Sequence, residues 1–401
     1  MPEAVIVSTA RSPIGRAMKG SLTTIRPDDL AAQIVDAALS KIPALDRTQV
    51  EDLMMGCGQP AGESGANIGR IVAVLSGMPD VPGVTVNRYC SSSLQTIRMA
   101  AHAIKAGEGD VFVSAGVETV SRFINGMADD GPTNEVFADA MARTASRAAG
   151  EGGDWAPPSG LPDVYIAMGQ TAENVAEYEK VSREDMDEYA ARSQQRATES
   201  LENGYWEAEI TPVKLPDGTV VSKDDGIRPG TTAEGLAGLK PVFKPEGKVT
   251  AGNACPLNDG AAAVVVMSDT KAKELGLTPL ARIVASGVSG LNPEIMGLGP
   301  IEACRQALGR ANMTIDDIDL VEINEAFAAQ VLPSARHLNI DLEKLNTRGG
   351  AIAIGHPFGM TGARIMTTLI HNLQESDKQF GMESMCVGGG QGMAMIVERL
   401  S

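Results

Sequence analysis

Two cysteines and one histidine stand in three glycine- and serine-rich segments far apart in this 401-residue chain: Cys90 in VNRYCSSSLQ, His356 in GGAIAIGHPFGMTGAR and Cys386 in MCVGGGQGM. A thiol can serve as a nucleophile and an imidazole as its base. Each of the three ends a predicted strand, where α/β folds place their chemistry. Cys90 precedes SSSLQTIRMAAHAI, whose small hydroxyl residues suit a helix N-terminus. The helix dipole and free N–H groups there favour thiolate. A buried structural cysteine is the plainer alternative, and the hydrophilic run beside Cys90 favours function. His356 lies between glycines and before a proline, on a turn into a second helix. His102 falls in a predicted helix, His337 at a helix end and His371 in a polar stretch. A base for Cys90 is therefore best sought at His356.

Cys386 opens CVGGGQG, where glycines let backbone N–H groups approach an oxyanion or phosphate closely. A dinucleotide fingerprint fails, because the following MAMIVERL is apolar and β-like rather than a long helix. No Walker pattern and no metal-ligand spacing of Cys and His occurs. Asn324 in EINEAF either caps the next helix, with Glu325 in its first turn, or positions a water or an oxyanion donor.

The elements that must hold these residues alternate between strand and helix. Strands are expected at 4–9, 51–57, 81–88 and 111–116, with helices at 28–41 and about 91–106. The rhythm returns with strands at 281–286, 318–323 and 384–387, helices at 301–312, 325–337 and 361–374, and a strand or turn at 349–354. The two parts look like copies. Cys90 corresponds to His356, Gly56 to Asn324 and Gly116 to Gly388, at similar separations. A duplicated α/β unit sets the strand ends of both copies side by side, so distant turns can share one site. Between them, 121–250 is rich in Pro, Gly and charge, with clear helices only around 169–201, which suits a lid or binding segment.

Composition narrows the function classes. With 43% hydrophobic residues, 44 glycines and 3% aromatics, the chain suits a two- or three-domain α/β enzyme. A formal charge of −17 argues against nucleic acid or an anionic membrane as partner. Five scattered cysteines without a C-x-x-C pair or a leader segment imply reduced thiols and a cytoplasmic setting. The longest apolar runs, such as AAAVVVM, are too short for a membrane span.

Taken together, VNRYCSSSLQ, NEAFAAQ, GGAIAIGHPFGMTGAR and CVGGGQG, with TAGNACPLNDGAAA before the C-terminal half, resemble the thiolase family over essentially the whole chain. The NRYCSS and MGQTAENV segments look closest to its degradative, 3-ketoacyl-CoA branch in bacteria. The resemblance implies the α/β class and the thiolase fold: two duplicated βαβαβαββ halves packed as a five-layered αβαβα core, plus an inserted loop domain. The N-terminal half would be 1–120, continuing at about 251–270. The inserted domain, 121–250, would bind CoA and make oligomer contacts, and 271–401 would be the C-terminal half.

The same resemblance implies a reaction. Cys90 would attack a 3-ketoacyl-CoA and carry the acyl group, with His356 as its base. Cys386 would be the acid and base for the departing acetyl-CoA carbanion and the incoming CoA thiol. One oxyanion site would be His356 with a water on Asn324, the other the N–H groups of Cys90 and Gly388. Each donor is worth roughly 3–4 kcal/mol in the transition state. Arg228 would lie near the adenine, Cys255 along the pantetheine arm, and Met296 and Phe327 around the acyl end, with Met168 also binding substrate or CoA. CoA would be a substrate, with no cofactor and no metal. Partners would be CoA thioesters, a second copy in a homodimer or homotetramer, and a multifunctional β-oxidation subunit.

Several positions depart from the family pattern. Cys255 replaces a frequent serine, Ser93 a frequent glycine, and Met360–Thr361 a common Ala–Ser. Ala167 stands where short-chain biosynthetic members carry histidine, which leaves room for longer acyl chains. A decarboxylating ketoacyl synthase would carry a second histidine at Asn324 and would not need Cys386. A non-catalytic acyl-CoA-binding relative would not need the Cys–His–Asn–Cys set. Acetoacetyl-CoA synthesis remains the alternative use of the same machinery.

Overall fold

The strands VFVSAGVET and NDGAAAVVVMS are apolar on both faces, which only a sheet covered by helices on both sides accommodates. The computed structural model describes residues 2–123, 131–151 and 153–401. The N-terminal part runs β1 (Ala4–Arg11), β2 (Gly15–Arg16), α1 (Pro27–Ser40), β3 (Asp52–Gly56), α2 (Ile68–Leu75), β4 (Gly83–Val86), α3 (Ser92–Ala106) and β5 (Val111–Thr119). The insertion carries α4 (Ala138–Ala148), α5 (Met168–Tyr178), α6 (Arg183–Glu202), α7 (Tyr205–Glu209), a hairpin of β6 (Val213–Lys214) and β7 (Val220–Val221), and α8 (Ala233–Ala237). Then come β8 (Asn258–Ser268) and α9 (Asp269–Glu274). The C-terminal part runs β9 (Ala281–Gly290), α10 (Gly299–Ala311), β10 (Leu320–Ile323), α11 (Ala328–Leu338), α12 (Ala351–Ile354), α13 (Thr361–Glu375), β11 (Phe380–Val387) and β12 (Gln391–Arg399).

Strand order is β4-β3-β5-β8-β1 in one half and β9-β12-β11-β10 in the other. The halves meet along one short seam, where Val5 pairs with Arg282 and Ile6 with Ala281. Alternation along β8 sorts the layers: Ala262, Val264 and Val266 face the middle, while Ala261, Ala263, Val265 and Met267 face outward onto α1 and α2. The middle layer is α3 against α13, through Leu94, Ile97, Ile104, Met366, Leu369 and Leu373. Helices α10 and α11 cover the outer face of the second sheet. The result is the αβαβα stack expected above. Each large aliphatic side chain buried in it stabilises the fold by about 1.5–3 kcal/mol.

Two expectations need correction. The segment 349–354 is neither strand nor turn, since AIAI forms the helical turn α12. The strand corresponding to β4 has shrunk to one parallel bridge between Val321 and Leu345. Asn346 completes the ladder: its N–H donates to Val321, its Oδ1 accepts from the Ile323 N–H at 2.9 Å, and its Nδ2 donates to the Ile323 carbonyl at 2.9 Å. In addition, α11 begins at Ala328 rather than 325, so Asn324 is not its cap.

The insertion is clamped to the core. Helices α5 and α6 lie on α11, and Tyr205 and Trp206 of α7 join the middle layer. Arg11 of β1, fully buried, pairs with Glu209 and with Asp224 at 2.8 Å. No helix among the described residues is long and apolar enough to cross a membrane.

Candidate active site

Cys90 sits in a single 3₁₀ turn, Tyr89–Ser91, directly ahead of α3. Tyr89 takes a left-handed φ of 43°, a cost that its surroundings must offset. The Ser92 hydroxyl offsets part of it by donating to the Tyr89 carbonyl at 2.6 Å and accepting from the Arg88 N–H at 2.9 Å. The backbone N–H groups of Gly388 and of Cys90 itself are directed at the Cys90 sulfur. The expected thiolate is not the resting form. Burial pushes the Cys90 thiol up to about 12, outweighing those two donors, and Glu118 raises it further.

Cys386 ends β11 and is likewise buried. Burial pushes its thiol well up, and the neighbouring sulfurs of Cys90 and Cys255 add to the shift. Burial raises Cys255 too, followed by Cys90 and Glu325. Three thiols, from the turn ahead of α3, from β11 and from the segment between the insertion and β8, therefore share one field.

His356 enters through Gly355, whose φ of 112° no side-chain-bearing residue adopts without strain. Its N–H donates to Asn258 Oδ1 at 2.9 Å. The Thr361 hydroxyl donates to the Pro357 carbonyl at 2.8 Å, so at 2.6 Å it can only accept from His356 Nδ1–H. That leaves Nε2 unprotonated, and Asn324 Nδ2 lies 3.3 Å from it. Burial holds the imidazole down at about 3, with Arg364 as the second cause. The ring is thus neutral, with its basic nitrogen facing Asn324. Asn324 Oδ1 is buried without a protein hydrogen-bond partner.

The turns of Cys90 and His356 pack on each other. A Cβ on Gly116 would come 2.0 Å from the Gly359 carbonyl, so this close approach requires glycine. Thr361, noted above only as a departure, fixes the histidine tautomer. Leaving a buried N–H unpaired costs roughly 1–3 kcal/mol. Thr361→Val should therefore lower kcat about tenfold, while Thr361→Ser keeps it, as a steady-state assay of the two variants would read.

Gly388 lies against the Tyr89 ring, beside Cys90. Met168, Met296, Phe327 and Phe243 gather in the apolar cluster that also holds Cys386, and Phe243 meets Phe327 edge-on at 6.3 Å. Arg228 is exposed, with its N–H bonded to Gln194 Oε1 at 2.8 Å. Neighbouring Gly226 presses on Ala353, ahead of the histidine turn. Glu325 is buried beside Asn324 and accepts from Tyr189 (2.9 Å), Ser193 (2.6 Å), Asn346 (3.0 Å) and Ile352 N–H (3.1 Å). Sequence reasoning missed Asn258 and Glu118. Their signals were a polar pair opening an apolar strand, in NDGAAAVVV, and one acid within VFVSAGVET.

The chain matches the family model for the thiolase N-terminal domain over residues 4–270 and that for the thiolase C-terminal domain over 277–399. It is 43% identical to the 3-ketoacyl-CoA thiolase of Bacillus subtilis (strain 168), across 99% of this chain and 100% of that one. It is also 43% identical to the 3-oxoadipyl-CoA/3-oxo-5,6-dehydrosuberyl-CoA thiolase of Escherichia coli (strain K12), over 100% of both. Among solved structures, the dimeric peroxisomal thiolase of Saccharomyces cerevisiae superposes with a TM-score of 0.89 at 37% identity, covering 99% of this chain and 97% of that one. The acetyl-CoA acetyltransferase of Bacillus anthracis gives 0.87 at 39%, covering 100% and 99%. The duplicated halves, the facing cysteine and histidine turns and these matches make the chain a member of the thiolase family.

Proposed function

We propose that the protein catalyses reversible, CoA-dependent thiolysis of 3-ketoacyl-CoA to acetyl-CoA and a shortened acyl-CoA, by a ping-pong route through acyl-Cys90. The observation that carries this reading is the packing of the Cys90 turn on the turn that follows His356, with Cys386 in the field of Cys90 and a neutral His356 whose Nε2 is left as an acceptor. His356 Nε2 takes the Cys90 proton as sulfur attacks the keto carbon. The carbon–carbon bond breaks, Cys386 S–H protonates the acetyl-CoA carbanion, and its thiolate then takes the proton of the incoming CoA thiol. CoA sulfur displaces the acyl group, and the Cys90 thiolate that leaves takes its proton back from His356 Nε2. The Cys90 and Gly388 N–H groups stabilise one oxyanion, and His356 with a water on Asn324 the other.

No resident cofactor enters these steps. Arg228 and Cys255 are assigned to CoA, and Met168, Met296 and Phe327 to the acyl end. That apolar wall suits plain fatty acyl chains, although Arg143, Arg147 and Lys244 line the cavity beside Phe243 and could pair with a terminal carboxylate. Cytoplasmic β-oxidation by a homodimer or homotetramer is the setting we favour. The five free thiols and the unpaired outer edge of β4 support it. Acetoacetyl-CoA synthesis is the alternative. The test is thiolysis across chain lengths, from acetoacetyl-CoA to 3-ketohexadecanoyl-CoA, with 3-oxoadipyl-CoA alongside. Acetyl-CoA should form from the unbranched substrates faster than from the dicarboxylic one, and no turnover on any of them would sink the proposal.

A further inference from the structure

Glu118 ends the apolar strand β5 with its side chain fully buried. No ion pair compensates it among the described residues. Its oxygens instead gather backbone donors from both halves. Oε2 accepts from Gly58 N–H at 2.7 Å and Gly359 N–H at 2.8 Å, while Oε1 accepts from Gln59 N–H at 3.2 Å and faces the Cys57 sulfur at 3.7 Å. Gly58 and Gln59 follow β3 in the first half. Gly359 belongs to the 3₁₀ turn Phe358–Met360, three residues after His356 and in the second half.

The surroundings leave no slack. A Cβ on Gly58 would meet Glu118 Oε2 and the Phe358 side chain at 2.8 Å, and one on Gly359 would lie 2.5 Å from the Val117 carbonyl. Burying a carboxylate is costly, and three backbone donors are what makes this one tolerable. Burial raises it to about 7, and those donors pull the other way. An acid kept in so unfavourable a place, spanning the two turns that must meet, points to work at the site.

We propose that Glu118 is a positioning residue that latches the His356 turn of the second half onto the strand ends beside Cys90. It touches no reacting atom and acts through His356. Its charge alone would do the opposite, since a nearby anion holds the Cys90 thiol protonated. Removing the latch therefore slows proton transfer to His356, whereas removing the charge alone makes Cys90 more reactive. The two roles have opposite signs.

The role rests on the thiolase reading, but its test does not require turnover. The second-order rate of Cys90 alkylation by iodoacetamide at pH 7 is measured in four proteins: unaltered, Glu118→Gln, His356→Ala and the double variant. Glu118→Gln keeps one acceptor oxygen and turns an NH₂ toward N–H donors. It should alkylate at least about tenfold more slowly than the unaltered protein. In the His356→Ala background the same change should be neutral or mildly accelerating. Equal slowing in both backgrounds would reveal a merely structural role. Faster alkylation of Glu118→Gln with His356 present would reveal a charge effect, and either outcome overturns the proposal. Glu118→Asp keeps the charge but withdraws it from Gly359, so it should share the slowing, and it serves if the Gln variant fails to fold. If the unaltered protein makes no acetyl-CoA from acetoacetyl-CoA and CoA, the thiolase reading fails while this cycle still reports on the latch.

Discussion

Cys90→Ala should abolish covalent acetyl labelling by acetyl-CoA and lower thiolysis by at least about 10⁴-fold. The size follows from having no substitute. Cys386 and Cys255 are the other thiols in the field, but the Gly388 and Cys90 N–H groups are directed at the Cys90 sulfur. The fold should survive, because the thiol fills little volume and its turn is held by Ser92 and Tyr89. Burial holds the Cys90 thiol up, so its reactivity depends on His356 taking the proton during attack. Mass spectrometry of protein incubated with acetyl-CoA reads the outcome. Unchanged labelling in Cys90→Ala would assign the nucleophile wrongly.

Cys386→Ala should split the reaction. Transfer of acetyl from acetyl-CoA to Cys90 expels a thiolate, which leaves without prior protonation. Labelling should therefore persist within about tenfold of the unaltered rate. Breaking or making the carbon–carbon bond requires a proton on or off carbon, and its loss should cost about 10³-fold in thiolysis and condensation alike. Exchange between acetyl-CoA and acetoacetyl-CoA, measured beside labelling, separates the two. Equal loss of both activities would mean that Cys386 supports the site rather than moving a proton.

The alternating elements and the two facing turns were legible because glycine, serine and proline punctuate them and the apolar runs between are long. AIAI was not legible, since four apolar residues carry no usable period and the register of Asn346 decides the matter. The burial that raises the Cys90 thiol was not legible. Helix position is visible in sequence, whereas the depth of burial that outweighs it depends on the second half folding over the first. Glu118 was invisible for a related reason, as one of its three backbone donors lies 241 positions away. Arg228 remains assigned to CoA by resemblance, while Cys255 has gained a shared field with both reactive sulfurs.

The two ends of the strand order differ. At β10, Asn346 occupies the outer edge with its own amide, so no further strand can be added there. At β4, no strand among the described residues pairs with the far edge, where only the Asn67 amide reaches the Gly83 carbonyl at 2.9 Å. A sheet open at one end can grow by one neighbour and then stops, because two copies joined through their open ends have none left. Among the described residues this asymmetry limits edge-to-edge pairing to the β4 end, which would join copies as a pair rather than as a fibre.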